Sequence, residues 1–96
     1  MMSKNPLDLP KGRKFSKEEL AQAVRLAIMA ELDAINMYLQ FAQATDNELV
    51  RKVFLEVAKE EKTHVGEFLA ILKELDLEQV KELEAGEGEV KELKVK

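Results

Sequence analysis

Residues 44–49 read ATDNEL. This short polar stretch decides the fold, because it separates two long runs of good helix formers. Upstream, residues 17–44 contain neither Pro nor Gly and are rich in Ala, Leu, Glu and Gln, which predicts one long helix. Its start is marked by SKEE (residues 16–19), where Ser16 caps and Glu19 completes a capping box. Downstream, a second helix is expected to run to about Leu75, crossing only Gly66. Thr45 with Glu48 offers it a second capping box, with Asp46 as the competing cap. Two long helices joined by so short a turn must run antiparallel, so the chain reads as an all-α hairpin.

The ends follow from the same signals. DLEQVKELEAG (residues 76–86) predicts a short third helix, capped by Asp76 and closed near Gly86. Residues 86–96, GEGEVKELKVK, read as a polar, flexible tail. Residues 1–15 hold both prolines and show little periodicity, so they read as an extended arm. The plan is therefore an arm (1–15), a helical unit (16–85) and a tail (86–96).

Composition narrows the function classes. Ninety-six residues allow one small domain, and 46% hydrophobic residues suit a folded one. A net charge of −4 argues against nucleic acid as the main partner. The absence of Cys excludes disulfides, iron–sulfur clusters and thiolate zinc sites. The apolar runs are too short to span a membrane, and MMSKNPLDLPKGRK lacks the apolar core of a secretory signal. The expected compartment is the cytoplasm.

At about 100° per residue, each long helix carries a wide apolar face. On the first it includes Leu20, Val24, Ile28, Ile35, Tyr38 and Phe41; on the second, Val50, Phe54, Val57, Phe68, Ile71 and Leu72. One neighbouring helix covers only part of such a face. A second copy of the hairpin completes it as a four-helix bundle, so an obligate oligomer is expected.

Three polar residues intrude on these faces. Glu31 lies between Ile28 and Ile35 on the first helix, and Glu61 and His64 lie between Val57 and Phe68 on the second. Arg25, Asp33, Asn36, Gln40, Lys59 and Lys62 point outward instead. A lone ionised carboxylate among apolar neighbours would cost several kcal/mol, so these groups need partners. Counted from the turn, Glu31 and Glu61 are nearly equidistant, each roughly 22 Å away at about 1.5 Å per residue. Glu-x-x-His on one helix puts the carboxylate and ring on one side, able to hold a single ion jointly. A di-iron carboxylate bundle takes one Glu from each of two helices and Glu-x-x-His from each of the other two. This chain supplies half of that set, and a two-fold dimer supplies all of it. Mixed carboxylate and imidazole ligands favour iron or manganese, whereas calcium and magnesium prefer oxygen alone.

AELDAINMY (residues 30–38) and EEKTHVGEF (residues 60–68) together resemble the encapsulated ferritins, two-helix members of the ferritin-like superfamily. The resemblance spans about residues 18–75. It implies a ferroxidase that oxidises Fe(II) with dioxygen at a di-iron site shared between two chains. Glu31, Glu61 and His64 are the implied iron ligands, with Glu61 of each chain bridging the metals and Tyr38 close by. It further implies dimers assembled into a ring-shaped decamer, working inside an encapsulin shell that holds the mineral. The chain departs from the pattern at Ala30, where relatives often carry a carboxylate, and at Met37, where Trp is common. An outer iron-entry site is therefore not carried over. Nor does EVKELKVK (residues 89–96) resemble the apolar shell-docking tail of cargo members, so a domain excised from a shell fusion stands beside stand-alone cargo.

Two other functions fit the same residues. Glu31, Glu61 and His64 could form a buried polar network that fixes register in a non-catalytic oligomerisation module. A rubrerythrin-like peroxide reductase is the other, although the chain has no cysteine-based electron route. Tyr38 alone reads equally well as core filler with its hydroxyl at the surface.

Overall fold

The structure is a computed structural model that describes residues 12–95. The predicted arm lies outside the described residues as far as residue 11. Three helices follow in order: α1 (Lys17–Gln43), α2 (Glu48–Leu75) and α3 (Leu77–Val95). The first two form the expected antiparallel hairpin.

Local chemistry sets each boundary. The Ser16 hydroxyl accepts from the Glu19 amide at 3.2 Å, and the Glu19 carboxylate accepts from the Ser16 amide at 2.9 Å, which closes the predicted capping box. That backbone hydrogen bond is the main cause holding the Glu19 carboxyl below its ordinary value, with Arg13 adding to it. At the turn, neither Thr45 nor Asp46 caps α2. Asn47 does, its side-chain oxygen accepting from the Val50 amide at 3.1 Å. The Thr45 hydroxyl is already committed to the turn, accepting from the Asn47 amide at 3.1 Å. Arg51 then closes the other end. α1 has no basic residue in its last turn, so its terminal carbonyls need a donor from elsewhere. Arg51 donates to the Ala42 carbonyl at 3.2 Å and to the Thr45 carbonyl, while Glu48 holds its guanidinium at 2.9 Å.

The hairpin interface is thin. Ala21, Val24 and Leu72 pack with Ile28, Phe68, Leu69 and Leu75 at the end away from the turn. Ile35 and Ala58 continue the seam, and Ala42 closes it beside the turn. Ala21 and Ala58 stand outside the predicted apolar faces, yet Ala58 is the most buried residue at 1% exposure. Small side chains mark where two helices come closest, and a hydrophobicity pattern gives them little weight. No large side chain is fully buried among the described residues. Leu20, Phe41, Val50, Val53 and Ile71 all remain exposed.

The third helix differs from expectation. Asp76 caps it as predicted, accepting from the Gln79 amide at 3.0 Å. It then runs through Gly86 and on to Val95, so residues 86–95 are helix and not a flexible tail. A glycine ends a helix by taking a positive φ, and among the described residues only Gly12 does so. Arg25, read as pointing outward, is half-buried and pairs with Asp76; its Nε also reaches the Gln79 side chain at 3.4 Å. These contacts root α3 at the end of the hairpin away from the turn. Beyond that root α3 leaves the hairpin. The molecule extends 52 × 46 × 21 Å, whereas two packed helices alone would be roughly 20 Å across. Its radius of gyration of 17.2 Å also exceeds the roughly 12–13 Å of a compact chain of this length.

Candidate metal centre

Glu31 stands at mid-height on α1, and Glu61 and His64 stand opposite it on α2. The hairpin brings the three together, with one ligand atom of each within 4.8 Å of the others. His64 Nδ1 lies 3.1 Å from a Glu31 oxygen and 3.6 Å from a Glu61 oxygen. They sit on the hairpin flank that carries the exposed Val50 and Ile71, in the middle of its length. Their own side chains are partly covered, at 21%, 18% and 44% exposure for Glu31, Glu61 and His64. An ion could reach them from the open side.

The electrostatics follow from the crowding. The hydrogen bond with Glu31 is the largest cause raising the His64 pKa above 6.5, and the charges of Glu61 and Glu31 add to it against partial burial. The Glu61 carboxyl is likewise raised above 4.5. Its hydrogen bond with Glu31 is the main cause, followed by desolvation and the Glu31 charge, while His64 pulls the other way. In this space the Glu61 carboxyl and the His64 imidazole therefore bind protons more strongly than they would in water. The same crowding favours any other positive charge, and the donor set of two carboxylates and one imidazole suits iron or manganese. The three residues fit a transition-metal ion.

Tyr38 lies outside this group. It is seven residues beyond Glu31 on α1, and its ring stacks on Phe54 with centroids 6.1 Å apart and planes at 23°. Phe41 meets the same Phe54 edge-on at 5.5 Å. No further acidic or histidine side chain joins the cluster among the described residues. Sequence reasoning missed Arg25 and Arg51, which brace the two ends of the hairpin that carries the site. A signal for Arg51 was present in its spacing of three from Glu48, one turn inside α2.

Comparison with known proteins identifies the fold and the family. The rubrerythrin family profile matches residues 22–96. The chain is 56% identical over 93 residues to a ferritin-like-encapsulin shell fusion protein of Pyrococcus furiosus, covering 97% of this chain and 27% of that protein. It is 42% identical over 79 residues to the encapsulin nanocompartment cargo protein EncC of Myxococcus xanthus, covering 82% of this chain and 61% of that one. The chain thus spans about a quarter of the first relative's length and under two thirds of the second's. The crystal structure of the encapsulated ferritin domain from Pyrococcus furiosus superposes with a TM-score of 0.87 at 55% identity, covering 97% of this chain and 95% of that one. The chain therefore belongs to the rubrerythrin family of ferritin-like proteins, as an encapsulated ferritin domain.

Proposed function

We propose that this chain is one half of a ferroxidase, pairing with a second copy so that Fe(II) is oxidised by dioxygen at a di-iron site between them. The observation that carries this is the position of Glu31, Glu61 and His64, clustered within 4.8 Å in the middle of an uncovered apolar flank. Covering that flank with its two-fold mate buries the exposed side chains and doubles the ligand set to four carboxylates and two imidazoles. Iron held there supplies the redox step, Fe(II) giving electrons to dioxygen. The chain's residues prepare the site. Glu31 and Glu61 come from different helices and fix the spacing of the carboxylates. His64 turns Nδ1 toward both of them, and that nitrogen must give up its proton before it can bind a metal. The Phe54 stack holds Tyr38 two turns below Glu31. The encapsulin relatives support a shell protein as partner, with the chain as cargo or as the ferritin-like part of a fusion. Mineralisation inside the nanocompartment would be the outcome of the oxidation. The paired, ring-forming assembly belongs to the same proposal.

Anaerobic Fe(II) titration followed by admission of air tests it, with native mass spectrometry reporting stoichiometry. Expected are two iron ions per pair of chains and rapid appearance of Fe(III). In Glu31→Ala, Glu61→Ala and His64→Ala, the affinity should fall by more than the roughly 10–100-fold that outer-shell changes cost. Equal rates in His64→Ala would overturn the assignment. Tyr38→Phe keeps the ring stack and removes only the hydroxyl, so an unchanged oxidation rate would assign Tyr38 to packing alone. The rubrerythrin match supports a second reading, peroxide reduction at the same site. Iron oxidation faster with hydrogen peroxide than with dioxygen would favour it.

A further inference from the structure

Small side chains line the hairpin seam, and one of them stands at the level of the metal ligands. Ala58 is 1% exposed, although it carries only a methyl group. It lies one turn before Glu61 in the middle of α2, whereas α3 starts only at Leu77, roughly 28 Å further along the helix axis. Among the described residues only α1 can therefore cover it. Counted from the turn, Ala58 comes level with the stretch of α1 between Glu31 and Ile35, and Ile35 is itself buried. At the far end the seam accommodates Val24 and Leu72, with Phe68 and Leu69 packed on them. From the ligands to the turn it is held narrow by Ala58 and Ala42.

The width of the seam decides how far apart the ligands stand. Glu31 is carried by α1, and Glu61 and His64 by α2. Packed helices lie about 8–10 Å apart, and the lower figure belongs to small residues at the contact. One ligand atom of each residue lies within 4.8 Å of the others, with His64 Nδ1 3.1 Å from a Glu31 oxygen. Ligand distances in a metal site hold to about 0.2 Å. A seam wider by about 1 Å, half the range that side-chain size allows, takes Glu31 away from the other two. The spacing of Glu61 and His64 would not change, because one helix carries both.

We infer that Ala58 is a positioning residue for the metal site: its methyl group holds α1 and α2 at the separation that lets Glu31 share an ion with Glu61 and His64. The inference rests on the metal reading of those three residues and not on how copies pair. Ala58 touches no ion. Enlarging it acts through Glu31 alone.

Cobalt(II) titration of the full chain tests this, because its visible absorption bands change with the ligands around the ion and no turnover is needed. In Ala58→Leu the affinity should fall at least about tenfold, toward that of Glu31→Ala, with bands to match. Ala58→Leu/Glu31→Ala should bind no more weakly than Glu31→Ala, since both changes remove the same ligand. Ala58→Gly keeps the close approach, so it should keep the affinity and the bands while losing stability. Ala42→Leu enlarges another buried residue, roughly 16 Å along α1 from Glu31, and should leave the bands in place. Circular dichroism checks that the helices persist. Should Ala58→Leu not fold, Ala58→Val replaces it, with a smaller loss of the same kind. Wild-type affinity and bands in the enlarged Ala58 variant overturn the inference. So does an equal loss in Ala42→Leu, or a double variant weaker than Glu31→Ala. A wild-type chain that takes up no cobalt(II) overturns the metal reading itself.

Discussion

His64 and Glu61 hold protons more strongly in the folded chain than in water, and that has a sign. A group whose folded pKa is raised stabilises the fold fully below its unfolded value, and this contribution is lost as pH rises through the folded value. For Glu61 the loss begins above 4.5 and for His64 above 6.5. Glu19 acts the other way. Its lowered carboxyl stabilises the fold above 4.5, and that contribution disappears as pH falls through the lowered value. Metal-free protein should therefore lose melting temperature as pH rises above 6.5, reported by thermal scans at fixed concentration, and His64→Ala should flatten the trend. Metal loading should reverse it and release protons, measured as a buffer-dependent enthalpy in calorimetry. A melting temperature that rises with pH in metal-free protein would contradict the geometry of the cluster. The cluster itself was legible in the sequence, because three polar residues at one height on two apolar faces leave few alternatives. Arg25 was not. Its partner Asp76 is 51 residues away, and only the path of the chain past Leu75 brings them together.

Among the elements, α1 was the most legible, since a long run without Pro or Gly behind a capping box has one reading. The boundary of α2 was less so. Thr45, Asp46 and Asn47 are three neighbouring cap residues, and propensity does not choose among them. Asn47→Ala should cost about 1 kcal/mol in urea denaturation, with Thr45→Ala costing less. The length of α3 was misread because Gly86 looks like a stop signal, and a stop requires a left-handed residue that it does not supply. A Cβ added at Gly88 meets nothing within 4 Å. Gly88→Ala should thus stabilise α3 by roughly 0.5–1 kcal/mol, seen as slower amide exchange over residues 84–92.

For the whole molecule, the exposed apolar residues have a consequence for assembly. Val50 lies on the ligand flank but near the turn, away from Glu31, Glu61 and His64. Val50→Glu places an acid in the first turn of α2, where the helix itself favours negative charge. Any loss therefore comes from contact between copies. The variant should lose the larger assembly by native mass spectrometry and bind iron weakly, with its three-residue cluster intact. That the hairpin leaves apolar residues uncovered was legible from faces wider than one neighbour covers. The direction in which α3 leaves was not, because it is set by the contact of Arg25 with Asp76, 51 residues apart. The thin seam through Ala21, Ile35, Ala42 and Ala58 carries a last implication. Under the proposed pairing, so little interior ties folding to meeting a twin, so the melting point should climb with each tenfold rise in concentration. A freshly made subunit on its own is then open to proteases, and crowding many copies together protects each of them.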